Sequence, residues 1–412
     1  MPPPASSEFR LRDIALTAYG PTILSSTGHG AVMPILALRA RDLGADVSTA
    51  AAVVALLGLG MLVASLPAGA LVARIGERRA LVLAGVADAV AMSVGALAGS
   101  VVVLAAAVVL SGMTWTTFLM SRQGYMIDVV PFSHRARALS TLGGSHRVGV
   151  FVGPLVGAGL IVVLGLSAVF WFAALAALGA AALARTMPDL GAERRRSRRD
   201  TGQHLGVWEV LAQHRRVLLT LGTVVVVISA SRSVRNGLLP LWADHVGISP
   251  SATSLVFALS GAIDMVFFYP GGWLMDRVGR TVVAVPVVAT VAVATLLLPL
   301  ATTTVAVAAA FVLIAVGNGL GSGIVMVLGA DAAPTEGRAQ FLGGWRLCGD
   351  VGLSGGPLVV SAVAAVAPLA TACVVIGLLG VAGTAWTGFW VGREDRRRRL
   401  DVGTGAPDRR TR

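Results

Sequence analysis

The segments GALVARIGER (69–78) and GWLMDRVGR (272–280) are two versions of one motif, Gly-x-x-x-x-Arg-x-Gly, and they begin 203 residues apart. Each segment stands between two long apolar runs. Gly76 and Gly279 permit backbone angles that other residues resist, as a tight turn between two helices requires. A motif written twice between similar apolar runs predicts that a whole structural unit is repeated.

The same offset of 203 residues relates other positions in the two halves. Gly149, Gly153 and Pro154 recur as Gly352, Gly356 and Pro357, and Asp128 recurs as Asp331. Parallel repeats of several membrane spans are typical of transporters in which two bundles pivot around a central site.

The composition excludes a soluble globular protein. Hydrophobic residues make up 55% of the chain and charged residues 13%, with a mean hydropathy of +0.79, whereas soluble domains carry about 25% charged residues. Runs such as 51–73 exceed the ~18 apolar residues that indicate a membrane span. Backbone groups in a bilayer must be satisfied within a helix, so we expect an all-α polytopic membrane protein.

The formal net charge of +12 arises from arginines with a particular placement. They concentrate in alternate connections, such as RIGERR (74–79), and in the tail REDRRRR (393–399), whereas AGS (98–100) and ATTT (301–304) carry none. This asymmetry follows the positive-inside rule. It predicts a multi-pass protein of the cytoplasmic (inner) membrane with both termini in the cytoplasm, and it argues against nucleic-acid binding.

Hydropathy and the basic connections together predict twelve transmembrane helices in two pseudo-symmetric six-helix bundles. The predicted spans are 14–38, 48–73, 80–98, 101–127, 138–163, 166–185, 216–242, 250–275, 281–299, 304–330, 338–364 and 368–391. The chain then divides into a cytoplasmic N-terminus (1–13), a first bundle (14–186), a cytoplasmic linker (187–215), a second bundle (216–391) and an Arg-rich cytoplasmic tail (392–412). Residues 207–216 of the linker are predicted to form a short amphipathic helix.

At these motifs the sequence resembles the major facilitator superfamily over almost its whole length. The two turns resemble that family's signature after the second and eighth spans, and RQG (122–124) resembles its fourth-span motif. The fifth-span pattern Gly149, Gly153, Pro154 and Gly157 resembles the family's proton-coupled drug antiporters. The sequence departs from the family pattern at Ala73, where the family usually carries Asp, and at Ala158, where it usually carries Gly.

The resemblance implies that the turns form a cytoplasmic gate. The arginines are expected to pair with acids at neighbouring helix ends, Arg78 or Arg79 with Asp128 and Arg280 with Asp331. Because Ala73 replaces the acid, the first half loses one favourable contact with a helix N-terminus. The alternative is that these arginines only enforce topology. The predicted gate residues are Gly69, Arg74, Gly76, Arg78, Arg79, Asp128, Gly272, Asp276, Arg277, Gly279, Arg280 and Asp331.

Ionisable residues inside the spans are costly and point to function. The resemblance implies that the fifth span packs against the eighth and the second against the eleventh, so we expect Arg147 to pair with Asp264 across that interface. The proton-coupling candidates are Asp264, Asp350, Arg122 and Arg147. A permanently paired structural role remains an equal alternative for each acid. A structural role is favoured for Asp88, because the family's third spans are peripheral.

A substrate cavity is expected between the bundles, lined by the first, fourth, seventh and tenth spans. Arg232 and Arg235 lie one turn apart and either attract an anionic group or extend toward the membrane surface. The glycine-rich string 317–323 is expected to bend the tenth span. The cavity candidates are His29, Met33, Trp115, Phe118, Met120, Arg232, Arg235, Asn236, Asn318 and Met326.

These observations favour a secondary active transporter that exports a small amphiphilic or drug-like compound in exchange for protons. The alternative is proton-coupled uptake of a polar or anionic metabolite. A membrane-embedded enzyme or non-transporting sensor is less favoured, because the sequence contains no catalytic constellation and no metal-ligand spacing. We expect no cofactor and no metal, and we expect a monomer in the lipid bilayer whose partners are its substrate and protons.

Overall fold

The computed structural model describes residues 15–130, 135–188, 207–334 and 337–404, and almost all of them are helical. The predicted N-terminus (1–13), the linker part 189–206 and the tail part 405–412 lie outside the described residues. The first half consists of Ala15–Val32 extended by Met33–Ile35 and Leu36–Asp42, then Val47–Ile75, Glu77–Leu97, Val101–Val129, Arg135–Leu164 and Leu166–Arg185. The second half consists of Arg215–Val217, Leu218–Gly222 and Thr223–His245 as its first span, then Pro250–Arg277, Thr281–Leu297 with Leu298–Leu300, Thr304–Leu320 with Ile324–Ala332, Arg338–Ala364 and Leu369–Thr404.

These helices are the twelve predicted spans, and we number them first to twelfth in chain order. Within the described residues, eleven are long and apolar enough to cross a membrane. The first span is the exception, since it carries several polar residues and is interrupted by the 3-10 turn Met33–Ile35. The all-α polytopic architecture is therefore confirmed. The short linker helix is present at Val207–Gln213, and the twelfth helix continues past the predicted end at 391 to Thr404.

Side-chain caps and glycine turns begin and end the spans. Asp46 and Ser249 accept hydrogen bonds from the Thr49 and Ala252 backbone N–H groups at 2.7 and 3.2 Å, so they cap the second and eighth spans. Donation by the Thr49 backbone lowers the pKa of Asp46. The two motif turns use positive φ angles, 87° at Gly76 and 123° at Gly279, as the repeated motif predicts.

The two halves use the same set of helix contacts. In the first half, the first span packs on the fifth, the second on the fourth, and the third on the fourth and sixth. In the second half the equivalent spans pack in the same pairs: seventh on eleventh, eighth on tenth, and ninth on tenth and twelfth. Between the halves, the second span packs on the eleventh and the fifth on the eighth, as expected.

The repeated glycines allow two of these contacts. A methyl group added at Gly153 of the fifth span would lie 2.6 Å from the Ala31 backbone nitrogen of the first span. The counterpart of Gly153 in the second half is Gly356 of the eleventh span, where an added methyl group would lie 2.7 Å from the Ala230 carbonyl oxygen of the seventh span. Because the same glycine pattern packs equivalent helices in both halves, close helix approach accounts for the fifth-span motif.

The halves join at one end of the molecule and separate at the other. We call the end with the Gly76 and Gly279 turns the basic end. At the opposite end, one continuous core includes Leu36 from the first half and Leu239 from the second. Toward the basic end, each half has a core of its own.

Polar contacts reinforce the closed end. Arg41 Nε lies 3.4 Å from Asp244 Oδ2, and the Ser48 hydroxyl donates to the Ser361 carbonyl at 2.8 Å. Both contacts join the first half to the second. Arg41, one of the few arginines outside the basic connections, therefore has an ion-pair partner in the other half.

Candidate functional site

A cavity of about 380 Å³ lies between the two halves. That volume is within the range of small-molecule sites. Eight of the twelve spans line it, four from each half: the first, second, fourth and fifth, and the seventh, eighth, tenth and eleventh. The lining residues are His29, Gly30, Met33, Leu57, Met61, Trp115, His146, Arg147, Val150, Pro154, Arg232, Arg235, Asn236, Phe257, Gly261, Asp264, Met265, Asn318, Ser322 and Leu353.

Seven of the ten predicted cavity residues are in this lining: His29, Met33, Trp115, Arg232, Arg235, Asn236 and Asn318. Phe118, Met120 and Met326 are not, which corrects the prediction. Phe118 is buried and stacks on Trp115, with ring centroids 5.8 Å apart, and Met120 lies five residues beyond Trp115, which turns it to another helix face at about 100° per residue. Met326 is 74% exposed, because it follows the helix break between Leu320 and Ile324.

The offset of 203 residues pairs lining positions across the two halves. His29 corresponds to Arg232, Met33 to Asn236, Met61 to Asp264, Trp115 to Asn318 and Val150 to Leu353. The sequence prediction missed Met61, Val150 and Leu353. The repeat contained the signal needed to find Met61, because applying the offset to the candidate Asp264 identifies it.

One ion pair lies in the wall of the cavity. Arg235 Nη1 of the seventh span donates to Asp264 Oδ2 of the eighth at 2.7 Å, and the two side chains are each 15% exposed. The expected pairing of Arg147 with Asp264 is therefore wrong as an ion pair. The prediction matched depths in the membrane, whereas Arg235 is presented on the neighbouring helix of the same half.

The other two arginines of the cavity have no carboxylate within ion-pair distance among the described residues. The Arg147 guanidinium lies 4.1 Å from the centre of the Phe268 ring, a cation–π contact. Arg232 donates through Nη2 to the Gly321 carbonyl at the helix break, where the C-terminal dipole of Thr304–Leu320 is negative. Arg232 Nε is buried without a hydrogen-bond partner.

Two further coupling candidates lie outside the cavity lining. Asp350 of the eleventh span is 6% exposed and accepts a 2.8 Å hydrogen bond from the Ser65 hydroxyl of the second span, across the interface between the halves. Arg122 has Nε and Nη1 buried without hydrogen-bond partners. Neither residue contacts the Arg235–Asp264 pair.

The basic end contains one of the predicted gate pairs. Arg280 Nε donates to Asp331 Oδ2 at 3.1 Å, as expected, and both residues belong to the second half. Arg78 instead donates to the Arg185 carbonyl, and Arg277 lies over the Trp273 ring. The side chains of Asp128 and Asp276 are outside the described part of the structure, so their gate contacts remain predictions.

A cavity between two equivalent six-helix halves agrees with the comparison with known families. The sequence profile of the Major Facilitator Superfamily matches residues 21–357 and, a second time, residues 221–408. The chain belongs to the major facilitator superfamily. The second match lies in the second half, as expected for an internal repeat.

Solved structures of transporters have the same fold. Three similar ones are a POT family transporter in complex with a thioalcohol conjugated peptide, a POT family transporter in complex with 5-aminolevulinic acid, and a mutant of peptide transporter POT in complex with alafosfalin. Their TM-scores are 0.76, 0.75 and 0.74 at 11%, 12% and 12% identity. They cover 91%, 93% and 92% of this chain, and 95%, 96% and 94% of their own chains. Among curated proteins, no sequence matches this superfamily member.

Proposed function

We propose that this transporter carries a small solute with a carboxylate group together with protons, in the direction of uptake. The observation that supports this most is the charge of the cavity. Three guanidinium groups, Arg147, Arg232 and Arg235, face one carboxylate, Asp264. With neutral histidines, two positive charges remain for an anionic group of the substrate.

The Arg235–Asp264 pair supplies the coupling. While Asp264 is ionised, it neutralises Arg235 at 2.7 Å. A proton on Asp264 ends the ion pair and frees Arg235 for the substrate carboxylate. Binding of the proton therefore raises the affinity for the anion. Thermodynamic reciprocity requires that binding of the anion raises the affinity for the proton by the same factor. Such positive coupling is the condition for symport.

Export of a cationic drug in exchange for protons requires the opposite arrangement, in which drug and proton compete for one acid. The excess of arginines disfavours a cation in this cavity. The fifth-span motif that suggested export is explained by helix packing that recurs in the second half. These two observations make uptake of an anionic or zwitterionic solute the better proposal.

The ligands of similar structures are compatible with this chemistry. 5-Aminolevulinic acid, bound by one of the POT family transporters, combines an amino group with a carboxyl group. In our proposal, Arg232 and Arg147 bind the carboxylate, and Arg235 joins them when Asp264 is protonated. Asn236 and Asn318 supply amide groups for the polar remainder, and Trp115 provides an apolar wall.

The positive-inside rule places the basic end in the cytoplasm. The ion pair Arg41–Asp244 and the shared core at the opposite end then close the external side, and the conformation is inward-facing. Uptake requires an alternation in which these contacts open and the basic end closes.

Purified protein in liposomes with a trapped pH indicator tests the proposal. Externally added 5-aminolevulinic acid or dialanine is expected to acidify the lumen, because proton and solute enter together. Ethidium, a cationic drug-like probe, is expected to have no effect. The Arg232→Gln variant is expected to lose the acidification, and Asp42→Asn, which changes an ion-paired acid away from the cavity, is expected to retain it. Alkalinisation by ethidium, without a response to the carboxylates, would establish antiport and refute symport.

A further inference from the structure

Asp88 of the third span is a buried carboxylate to which the mechanism above gives no role. The residue is 5% exposed. Its Oδ1 atom accepts hydrogen bonds from the Ser111 and Thr114 hydroxyls of the fourth span, each at 2.9 Å. The sequence analysis favoured a structural role for Asp88 because third spans are peripheral, but the side chain faces the interior of the first half.

An imidazole lies beside this carboxylate. His29 Nδ1 of the first span is 3.7 Å from Asp88 Oδ2, and His29 Nε2 is 3.2 Å from the Ser111 hydroxyl. Both side chains are 7% exposed. His29 also lines the central cavity, so it connects the carboxylate to the path of the substrate.

The charges of this cluster require a counter-charge for Asp88. An ionised carboxylate removed from water in the membrane interior is costly unless it is paired, and hydroxyl donors carry no positive charge. Among the described residues, only His29 lies within ion-pair distance of Asp88. With a proton on His29 the pair has no net charge, and without that proton it has a buried negative charge; the same Nδ1 atom lies 3.3 Å from the Ser25 carbonyl oxygen.

The other elements packed against this cluster contribute few titratable groups. The fifth span presents His146, which is bonded to the Ser26 hydroxyl at 2.8 Å, and Arg147 across the cavity. The fourth span carries Arg122, eleven residues beyond Ser111 and hence about 16 Å along the helix. The sixth span has Arg185 as its single charged residue, at the basic end.

We propose that His29 and Asp88 form a second proton-binding site, which exchanges its proton with the cavity through His29. The site is separate from the Arg235–Asp264 pair and lies in the opposite half. When it is protonated, the imidazolium adds a positive charge to the cavity wall. That charge favours an anionic substrate, so this inference extends the proposed function by a second coupled proton.

Trp115 is a built-in reporter for this site. Its ring centroid lies 4.0 Å from that of His29, and an imidazolium quenches indole fluorescence at contact more strongly than a neutral imidazole. A titration of the purified protein from pH 8 to pH 5 is expected to show a quenching step. The step should be absent in His29→Gln and in Trp115→Phe, and at least halved in Asp88→Asn.

His146 provides the matched control, because its ring also lies near Trp115, with centroids 5.9 Å apart. His146→Gln is expected to retain the step. A step that persists in His29→Gln, or that Asp88→Asn leaves at full amplitude, would overturn the proposal. The titration needs no substrate, so it succeeds or fails independently of the transport assay. Asp88→Asn preserves side-chain size, and its circular dichroism spectrum checks folding.

Discussion

Replacing Asp264 by Asn separates anion binding from proton binding. In the wild type, Asp264 holds Arg235 in a 2.7 Å ion pair, and in the proposed mechanism a proton on Asp264 releases Arg235. The variant lacks the charge at every pH, so Arg235 remains available. We therefore expect tighter binding of the carboxylate substrate at pH 8, and a smaller change in affinity between pH 8 and pH 5 than in the wild type, the remainder coming from the His29–Asp88 site.

The magnitude follows from the charge removed. A unit charge about 8 Å from the bound carboxylate, at an effective dielectric constant of about 20, contributes about 2 kcal/mol. Removing that repulsion lowers Kd roughly thirtyfold. Lowering the pH should bring the wild-type Kd toward the value of the variant.

Isothermal titration calorimetry in detergent measures this effect, with whichever carboxylate probe acidifies the liposome lumen. Asp42→Asn is the control, because Asp42 is also paired with an arginine but lies at the closed end of the molecule. The coupling argument is wrong if Asp264→Asn binds the probe more weakly than the wild type at pH 8, or keeps the wild-type pH dependence.

Further substitutions test four other contacts. Gly149→Ala should lower the thermal midpoint because its methyl group meets the first span, whereas Gly143→Ala, in open space on the same helix, should raise it through better helix propensity. Asp46→Ala should destabilise the protein near neutral pH. The pKa of Asp46 is lower in the folded protein than its unfolded value of about 3.8. The stabilisation by Asp46 is therefore present above the unfolded pKa and is lost as the pH falls through the folded pKa. Thermal melts at several pH values measure this loss. Asp244→Asn should shift the population by only about twofold toward a state that is open at the end opposite the basic end, because this pair is more than one-third exposed. Distances between spin labels on loops of the two halves at that end measure the shift. Asp88→Asn should reduce the number of protons taken up per substrate molecule by one in liposomes. An unchanged ratio would show that the His29–Asp88 site takes no part in proton coupling.

The fold could be predicted from the sequence because the features that determine it can be read along the chain. Apolar length and the 203-residue offset identify the spans and the repeat, whereas the sidedness indicated by arginine placement stays a prediction. Glycines such as Gly76 and Gly279 then locate the tight turns, because the positive φ angles observed there favour glycine. None of these inferences depends on how a helix is rotated about its axis.

The side-chain pairings depended on that rotation, and the sequence alone did not provide it. Arg147 and Asp264 were expected to pair because they lie at the same depth in the membrane. The seventh helix is oriented so that Arg235 forms the ion pair with Asp264 instead. Asp88 was expected to have a structural role because the third span is peripheral. It lies on the face of that helix that is directed toward His29. Depth along a helix can be counted from the sequence, whereas direction around the helix is set by packing with its neighbours.

The repeat explains where the charged residues lie, and the differences between its copies explain what they do. Arg147 and Asp350 are equivalent positions at the offset of 203, and so are their cross-interface partners, Phe268 and Ser65. The same helix contact therefore holds a cation at the fifth and eighth spans and an acid at the second and eleventh. Rocking of two halves needs equivalent backbones, but substrate recognition does not need equivalent side chains.

The residues that line the cavity also occupy equivalent positions in the two halves but differ in their side chains. The second half supplies Arg232 and Asp264, where the first half has His29 and Met61 at the corresponding positions. A guanidinium group thus faces an imidazole, the group to which we assign the second proton. In the proposed mechanism both halves respond to protons, the second through Asp264 and the first through the His29–Asp88 pair. Substituting His29 by Arg would make the two walls alike and should retain anion binding while removing its dependence on the second proton.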